Sequence, residues 1–426
     1  MTARSEDALL RRRTLLFSLL AGLGVLLALY LAGGWRPYVN APAGFHYGIN
    51  SPLDALTLLL PPGWRVLTQQ GFLILRAAAA GGVLCWYLMR HLGQVSRLFA
   101  PLCAGYAAAV YTGCIINLVW VDAATLLPLM LDAADTVLRT GRVRRLLVLT
   151  FICVAVNCYT AWPLCVYCLF YLIWQVLRRP GPMDWPGFFR AIGNGLRAML
   201  PGMAAAILLV LPVVWSQYRS DAFHMAAAGD QFGFEPMELI YCLFFGRYSS
   251  ACAAAGMPYL YTGSAAVILA LLYFMGNDDS TRAKFASAFL LVGVLASYLV
   301  DLPGLTWQNG DDLAVFPFRY GFLLSAMLLI LAADTVVKDS PPISSLAAAM
   351  FVLAIYLLGY RGTVGPAARL WRLGIGGGVY LACCALLRLR AQPRYRRSAG
   401  ILLTVLMLAD VIVSSCITLY GAFLWI

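Results

Sequence analysis

Apolar stretches of membrane-span length alternate with short polar segments along nearly the whole chain. A helix that crosses the hydrocarbon layer needs about 20 residues, and these stretches are continuously apolar, whereas the strands of a membrane β-barrel alternate. The pattern therefore predicts an all-α polytopic membrane protein with about 13 transmembrane helices. The thirteen runs lie at about 14–33, 71–89, 98–116, 119–138, 146–160, 162–177, 196–215, 259–276, 284–300, 317–337, 344–360, 370–387 and 399–424.

The distribution of basic residues indicates the orientation of these spans. When the N-terminus is placed on the inner side, most of the 31 Lys and Arg residues fall in inner segments, as is typical of cytoplasmic loops. We therefore predict one integral membrane domain over residues 1–426, with the N-terminus inside and the C-terminus outside. Arg11 to Arg13 before an apolar run resemble a signal peptide, but no small-x-small cleavage site follows convincingly, so we interpret the first run as a retained anchor.

Composition supports this fold class and excludes others. Hydrophobic residues make up 62% of the 426 residues and charged residues 12%, whereas a soluble domain has about 25% charged residues. A soluble enzyme and a nucleic-acid-binding protein are therefore excluded. The net charge of +12 follows from the basic inner loops.

The lengths of the loops indicate on which side a functional site lies. Inner loops are short and basic, whereas the outer loops 34–70, 216–258 and 301–316 are long and contain many of the acidic and aromatic residues outside the spans. We therefore expect these three outer loops to form the site.

One carboxylate lies near the outer start of the run at 119–138. Asp122 follows Asn117 and Trp120 and precedes Pro128. It could act as a general base toward a hydroxyl group, or it could only interact with the helix dipole, with Trp120 as an interfacial aromatic residue. Both interpretations stay open.

Two further polar segments lie in outer loops. Arg319 follows a polar stretch that contains Trp307 and Asn309. It could bind a phosphate through parallel N–H donors or extend to lipid headgroups. In the first loop, Asp54 could be a functional carboxylate or, like Ser51, a helix cap.

Other polar positions are less specific. Asp410 lies inside the last run, where a carboxylate is either functional or paired within the bundle. The stretch 145–177 is interpreted as two short spans hinged near Asn157, Tyr159 and Pro163.

The metal-ligating residue types give no sign of a cofactor. The three histidines and twelve cysteines show no metal-ligand spacing. We therefore predict no cofactor, although a divalent metal stays open. Cys165 and Cys168 are interpreted as packing residues of one helix face, and a disulfide between Cys242 and Cys252 stays open.

Four short segments, in the same order along the chain, resemble segments of the bacterial YfhO membrane-protein family. They lie at predicted outer boundaries and cover the chain from about 45 to 335. The segments are Asn50-Ser-Pro-Leu53, Asn117-Leu-Val-Trp-Val-Asp122 with Pro128-Leu129, Asn157-Cys-Tyr159 with an aromatic-rich span ending Phe170-Tyr171, and Phe316-Pro-Phe-Arg-Tyr-Gly-Phe322.

The resemblance implies a glycosyltransferase of the GT-C architecture in the bacterial cell membrane. Such an enzyme moves a sugar from a polyprenyl-phosphate donor to an envelope glycan or glycolipid on the outer face, such as a teichoic-acid-type polymer. Its partners are then the lipid-linked sugar, the acceptor and membrane lipids. We expect Asp122 or Asp54 to be the base and Arg319 to bind the phosphate. The expected sugar or lipid contacts are His46, Asn117, Trp120, Asn157, Tyr159, Trp307, Asn309 and Tyr320.

A second class of function stays open at this point. The first outer loop of the family normally carries an acidic segment, whereas residues 34–50 contain no Asp or Glu; family members also often continue into a large outer C-terminal region. The missing acidic segment favours a non-catalytic membrane protein, either a transporter of lipid-linked sugars or a partner of an active glycosyltransferase. The shorter C-terminal part does not separate a minimal form from a chain that has lost catalysis or from a truncated gene.

Overall fold

The computed structural model is helical throughout most of the residues that it describes. These are residues 3–32, 59–114, 119–181, 183–219, 236–248, 252, 257–276, 279–298, 320–338, 342–359 and 366–423. Within these ranges the chain forms fourteen helices, numbered α1 to α14 in chain order. They are Ala3–Ala32, Pro62–His91, Phe99–Cys114, Val119–Thr140, Arg144–Val156, Cys158–Arg178, Trp185–Arg219, Pro236–Tyr241, Ser264–Met275, Thr281–Ala296, Gly321–Lys338, Pro342–Gly359, Pro366–Arg390 and Arg396–Phe423.

The helices agree with the predicted pattern. Each of the thirteen apolar runs overlaps one helix, and the short α8 lies in the predicted outer loop 216–258. The all-α polytopic fold is confirmed, whereas the count of thirteen spans and their orientation stay predictions. Among the described residues, six helical stretches are long and apolar enough to cross a membrane: Glu6–Leu31, Leu67–His91, Cys158–Arg178, Trp185–Pro212, Gly321–Lys338 and Arg396–Leu419.

Three helices begin well before the apolar runs that predict them. Helix α1 begins at Ala3 rather than near residue 14. Helix α2 begins at Pro62 rather than near residue 71, and proline favours the first turn because its φ angle is fixed. Helix α7 begins at Trp185 rather than near residue 196, and Asp184 Oδ1 accepts a hydrogen bond from the backbone N–H of Gly187 at 3.0 Å. Hydropathy does not detect these turns because polar residues interrupt them.

Ion pairs join α2, α4 and α5 at the ends that the sequence predicts to face inward, called the inner ends; the opposite ends are called the outer ends. Asp132 on α4 is buried and contacts Arg90 of α2, with Nε and Oδ1 2.9 Å apart, and also Arg145 of α5. Next to it, His91 Nδ1 lies 2.6 Å from Asp135 Oδ2. These contacts bring the inner ends of the three helices to a common level.

A second ionic group joins the inner ends of α6 and α11. Arg178 Nη2 lies 2.6 Å from Asp334 Oδ2, and Lys338 Nζ lies 2.9 Å from the same oxygen. Lys338 also contacts Asp279 at 2.6 Å. Since the inner ends of these helices are held by side-chain contacts, differences in helix length appear on the outer side.

Helix α9 begins inside the bundle rather than at a membrane surface. It has 12 residues, about 18 Å, and the preceding residues 257–263 are non-helical and buried. Asp410 of α14 accepts hydrogen bonds from the backbone N–H of Ser264 at 2.7 Å, from the hydroxyl of Tyr261 at 2.5 Å and from the hydroxyl of Ser264 at 3.2 Å. Asp410 is thus paired within the bundle, and the predicted run 259–276 is helical only from Ser264.

Two glycines allow this non-helical segment to pack against its neighbours. A Cβ atom on Gly105 of α3 would collide with the carbonyl oxygen of Thr262. Gly263 has a φ angle of +111°, a conformation that residues with a Cβ rarely adopt. Irregular backbone at membrane depth is tolerated where protein surrounds it, and these close contacts provide that packing.

Candidate functional site

Several helices end on the outer side well below the outer ends of α1 and α2. Helices α1 and α2 each have 30 residues and extend about 45 Å, whereas α3 and α5 have 16 and 13 residues and extend about 24 and 20 Å. The inner ends of α2 and α5 are linked through Asp132, so the outer end of α5 lies only about halfway along α2. We call this region the outer floor: Arg76 of α2 with the first turns of α4, α6 and α11, namely 120–122, 157–160 and 320–322.

An ion pair between α2 and α4 lies at the outer floor. Arg76 Nη1 donates to Asp122 Oδ2 at 3.2 Å and to Oδ1 at 3.4 Å. The two side chains are 6% and 15% exposed. The hydroxyl of Thr125 lies 3.4 Å from the carbonyl oxygen of Arg76. A charge pair this deep in a membrane bundle is costly to bury, and it therefore marks a candidate functional site.

Aromatic rings from three helices meet beside this ion pair. The ring centroid of Trp120 lies 5.7 Å from that of Tyr159 and 6.2 Å from that of Phe322. Tyr320 stacks on Tyr298 with centroids 4.9 Å apart and planes inclined by 6°. Trp120 and Tyr320 are both buried. The alternative interpretation of Trp120 as a lipid-facing interfacial residue is therefore wrong.

Asn157 forms the corner between α5 and α6. Its backbone is extended, with φ −161° and ψ 111°, and its side-chain oxygen accepts a hydrogen bond from the backbone N–H of Thr160 at 2.9 Å. The structure places the predicted hinge at Asn157, whereas Tyr159 and Pro163, also predicted near the hinge, lie inside α6. The Asn157 side chain caps α6, and its role as a sugar or lipid contact stays a prediction.

The structure brings part of the predicted site together. Asp122, Trp120, Asn157, Tyr159 and Tyr320 belong to the outer floor. The other predicted site residues lie outside the described part of the chain: His46, Asp54, Asn117, Trp307, Asn309 and Arg319.

The sequence of the chain also matches a known family. The model of the family described as bacterial membrane protein YfhO covers residues 40–423 of the chain. The chain belongs to the YfhO family. The matched range contains α2 to α14, and so it includes the outer floor and Asp410. The protein is therefore a bacterial membrane protein.

The remaining comparisons concern curated proteins and solved structures. No curated protein matches the chain. The crystal structure of ArnT from Cupriavidus metallidurans bound to undecaprenyl phosphate is similar, with 12% identity over 99% of this chain and 77% of that chain and a TM-score of 0.45. The apo structure of the same protein gives 12% identity, coverages of 98% and 77%, and a TM-score of 0.43.

Arg76, the basic partner of Asp122 at the outer floor of this YfhO-family protein, was not predicted from the sequence. Arg76 lies within the apolar run 71–89, and a charge inside such a run was the available signal. Its partner Asp122 is 46 positions away, so the pattern of α2 alone could not identify the pair. Gln70, also buried on α2, was missed as well.

The described cysteines are free thiols, and one of them, Cys158, lies at the outer floor. Among the described residues, no group of three or more His, Cys, Asp or Glu side chains could hold a metal ion. Cys165 and Cys168 are buried free thiols in α6, and Cys242 and Cys252 are also free thiols. A hydrogen bond with Cys252, together with burial, raises the pKa of the Cys242 thiol. The structure describes both cysteines as thiols, and the disulfide between them stays a hypothesis.

Proposed function

We propose that this YfhO-family protein is a membrane glycosyltransferase of the GT-C kind. It moves a sugar from a polyprenyl-phosphate donor to an envelope glycan or glycolipid, such as a teichoic-acid-type polymer, on the outer face. The observation that carries the proposal is the buried Arg76–Asp122 pair at the outer floor, because an anionic lipid donor needs positive charge and a hydroxyl acceptor needs a carboxylate.

The chemistry is a substitution at the anomeric carbon of the donor. The acceptor hydroxyl oxygen forms the new bond to that carbon while the bond to the phosphate oxygen breaks, and the electron pair leaves with the phosphate. A carboxylate, Asp122 or Asp54, takes the hydroxyl proton. Arg319, expected at the outer edge of α11, stabilises the charge on the leaving phosphate.

Aromatic and amide side chains would hold the sugar and lipid next to these groups. Tyr159 is half-buried beside Trp120, and an aromatic face can pack on the apolar side of a sugar ring or on an isoprenoid chain. In this scheme His46, Asn117, Trp307 and Asn309 contribute from the loops around the outer floor. The buried Asn157 and Tyr320 fix the helix ends that surround the bound substrate.

Mass spectrometry of envelope polymers tests the proposal. Cells with and without the gene are compared, and the deletion is complemented with the wild type, Asp122→Asn or Asp132→Asn. We expect the deletion to lack one sugar substituent. The wild type should restore it, and Asp122→Asn should reduce transfer, because Asp122 belongs to the buried ion pair of the outer floor. Asp132→Asn is the matched control, because Asp132 is a buried, arginine-paired aspartate on the same helix.

The outcomes separate the mechanism from general damage. Membrane abundance of each variant is measured by immunoblot, so that loss of protein is not mistaken for loss of transfer. If Asp122→Asn and Asp54→Asn both leave transfer intact, the proposed mechanism is wrong. Polymers that are unchanged by the deletion would contradict the transferase itself.

A second candidate function is supported by two observations. The absence of Asp and Glu from residues 34–50 favours a non-catalytic partner of an active glycosyltransferase. The non-helical segment 257–263 before the short α9 is typical of transporters, which bind substrates at broken helices. Unchanged polymers together with a changed distribution of lipid-linked sugars across the membrane would support a transporter.

A further inference from the structure

A row of polar side chains descends along one face of α2 toward the outer floor. Arg65, Gln69 and Arg76 are spaced by four and seven residues, and this spacing places them on the same side of a helix. The row covers about 16 Å along the helix axis. Arg65 Nε donates to the carbonyl oxygen of Leu60 at 2.7 Å, at the outer start of the helix. One positive charge, Arg65, therefore lies at the outer end of this row, and another, Arg76, lies at its inner end.

A buried amide lies between the two arginines. Gln70 is 5% exposed, and within the described residues its Nε2 atom has no hydrogen-bond partner. Native proteins rarely leave a buried donor unsatisfied, so such a group calls for a partner such as a ligand or an ordered water. The outer half of α2 thus contains a buried donor in addition to its two arginines.

The geometry of the Arg76–Asp122 contact indicates what each partner does. Both carboxylate oxygens of Asp122 are reached from one nitrogen, Nη1, at 3.2 and 3.4 Å. This contact differs from the parallel two-nitrogen arrangement in which arginine binds a carboxylate most strongly. Asp122 therefore approaches the guanidinium group from one end and orients it.

We propose that Arg76 binds the phosphate of a polyprenyl-phosphate lipid at the outer floor and that Asp122 is its positioning counter-ion rather than the base. The inference rests on the proposed function for the identity of the lipid. Guanidinium groups match the geometry of phosphate oxygens, and the descending row on α2 leads an anionic headgroup from the outer end of the helix to Arg76.

The ion pair also argues against Asp122 as the proton acceptor. A base must become protonated during the reaction, and protonation of Asp122 would remove the negative charge that it supplies to a buried guanidinium. Removing one partner from a buried pair is strongly unfavourable. Of the two predicted carboxylates, Asp122 is therefore excluded as the base.

Binding of farnesyl phosphate to the purified full-length protein in nanodiscs tests the inference. Farnesol and inorganic phosphate are the comparison ligands. We expect Arg76→Gln to raise the Kd for farnesyl phosphate about tenfold to hundredfold and to leave farnesol binding unchanged. Arg76→Lys, which keeps the positive charge, should raise this Kd less than Arg76→Gln does. Equal binding of farnesyl phosphate by the wild type and Arg76→Gln would overturn the proposal.

A double-mutant comparison tests the positioning role of Asp122. We expect Asp122→Asn to raise the Kd about threefold to tenfold in the wild-type background and to have little further effect in the Arg76→Gln background, because residues in one network act non-additively. An unchanged Kd in Asp122→Asn with complete loss of sugar transfer would overturn the assignment and make Asp122 the base.

The control is the inner ion pair that joins the same two helices. Arg90→Gln with Asp132→Asn removes a contact between α2 and α4 and should leave the Kd unchanged, whereas an equal loss in this control would show a general effect of destabilisation and would overturn the inference. Inorganic phosphate that binds as tightly as farnesyl phosphate would indicate a site for free phosphate and would overturn the lipid assignment.

The binding assay and the polymer assay fail independently. If the lipid binds through Arg76 but no sugar substituent depends on the gene, the proposed transferase is wrong and the phosphate site stands. If a sugar substituent depends on the gene but farnesyl phosphate does not require Arg76, the phosphate site is wrong and the transferase stands.

Discussion

Replacement of Asp410 tests whether a buried carboxylate holds the start of α9. Its two oxygens accept three hydrogen bonds, from the Ser264 N–H, the Ser264 hydroxyl and the Tyr261 hydroxyl. In Asp410→Ala the N–H would lose its acceptor, whereas the two hydroxyls, already 3.0 Å apart, could still bond each other. The main losses are therefore one orphaned backbone donor and a small cavity.

These losses give the expected magnitude. An unsatisfied buried donor costs about 1–3 kcal/mol, and a cavity the size of a small side-chain group costs about 1 kcal/mol more. We therefore expect Asp410→Ala to lower the free energy of unfolding by about 2–4 kcal/mol. In Asp410→Asn the amide oxygen can still accept from Ser264 and the amide N–H can donate to Tyr261. The expected loss is then about 1–2 kcal/mol, the difference between charged and neutral hydrogen bonds.

Unfolding in SDS, followed by tryptophan fluorescence, measures both variants. Asp184→Asn is the matched control, because Asp184 accepts a hydrogen bond from the backbone N–H of Gly187 at an exposed helix start, and we expect a loss of less than about 1 kcal/mol there. If Asp410→Ala costs no more than Asp184→Asn, the carboxylate does not hold α9 and the reasoning is refuted.

Three further predictions concern packing, capping and topology. Gly81→Ala would place a Cβ atom 2.6 Å from the carbonyl oxygen of Cys103, so we expect overpacking to cost about 1–3 kcal/mol. Gly71→Ala on the same helix meets no atom within 4 Å and should stabilise by about 0.5–1 kcal/mol; thermal midpoints in detergent compare the two. Asn157→Ala should lower the free energy of unfolding by about 1 kcal/mol, because the hydrogen bond from the Thr160 N–H to the Asn157 side chain is lost. Asn157→Asp should retain most of this stability. A fluorescent protein fused to the N-terminus and alkaline phosphatase fused to the C-terminus should both be active in cells.

Each of these predictions has a contradicting result. Equal midpoints for the two glycine variants would contradict the close approach of α2 and α3. An aspartate at position 157 that is as destabilising as alanine would contradict the capping role. An inactive phosphatase at the C-terminus would contradict the predicted odd number of spans.

Continuous apolar runs predicted the helices because span length and hydrophobicity are local properties of the chain. The corner at Asn157 was also predictable, since this polar residue lies close to the junction of the two short runs 146–160 and 162–177, where a helix end is expected. The non-helical state of residues 257–263 was not predictable, because a short apolar stretch has the same hydropathy in either conformation. That conformation depends on Asp410, which lies 146 positions after Ser264.

The site was predictable only where its residues lie at helix ends. Trp120 and Asp122 lie at the start of one apolar run and Tyr159 at the end of another, and the structure places all three at the outer floor. Arg76 was hidden because its neighbours on α2 are apolar and because its partner is on another helix. Pairing between distant positions is a tertiary property that no window of the sequence contains.

The dependence of α9 on Asp410 also sets an order for assembly in the membrane. Residues 257–263 cannot rest in lipid alone, because unsatisfied backbone groups cost several kcal/mol each there. Asp410 is synthesised 146 residues after Ser264, about 7–30 s later at ordinary translation rates. During this interval residues 257–263 lack the hydrogen bonds that Asp410 supplies in the complete bundle. Insertion of this segment finishes only when the last helix arrives, so a chain arrested before that helix is the form that membrane quality control would remove.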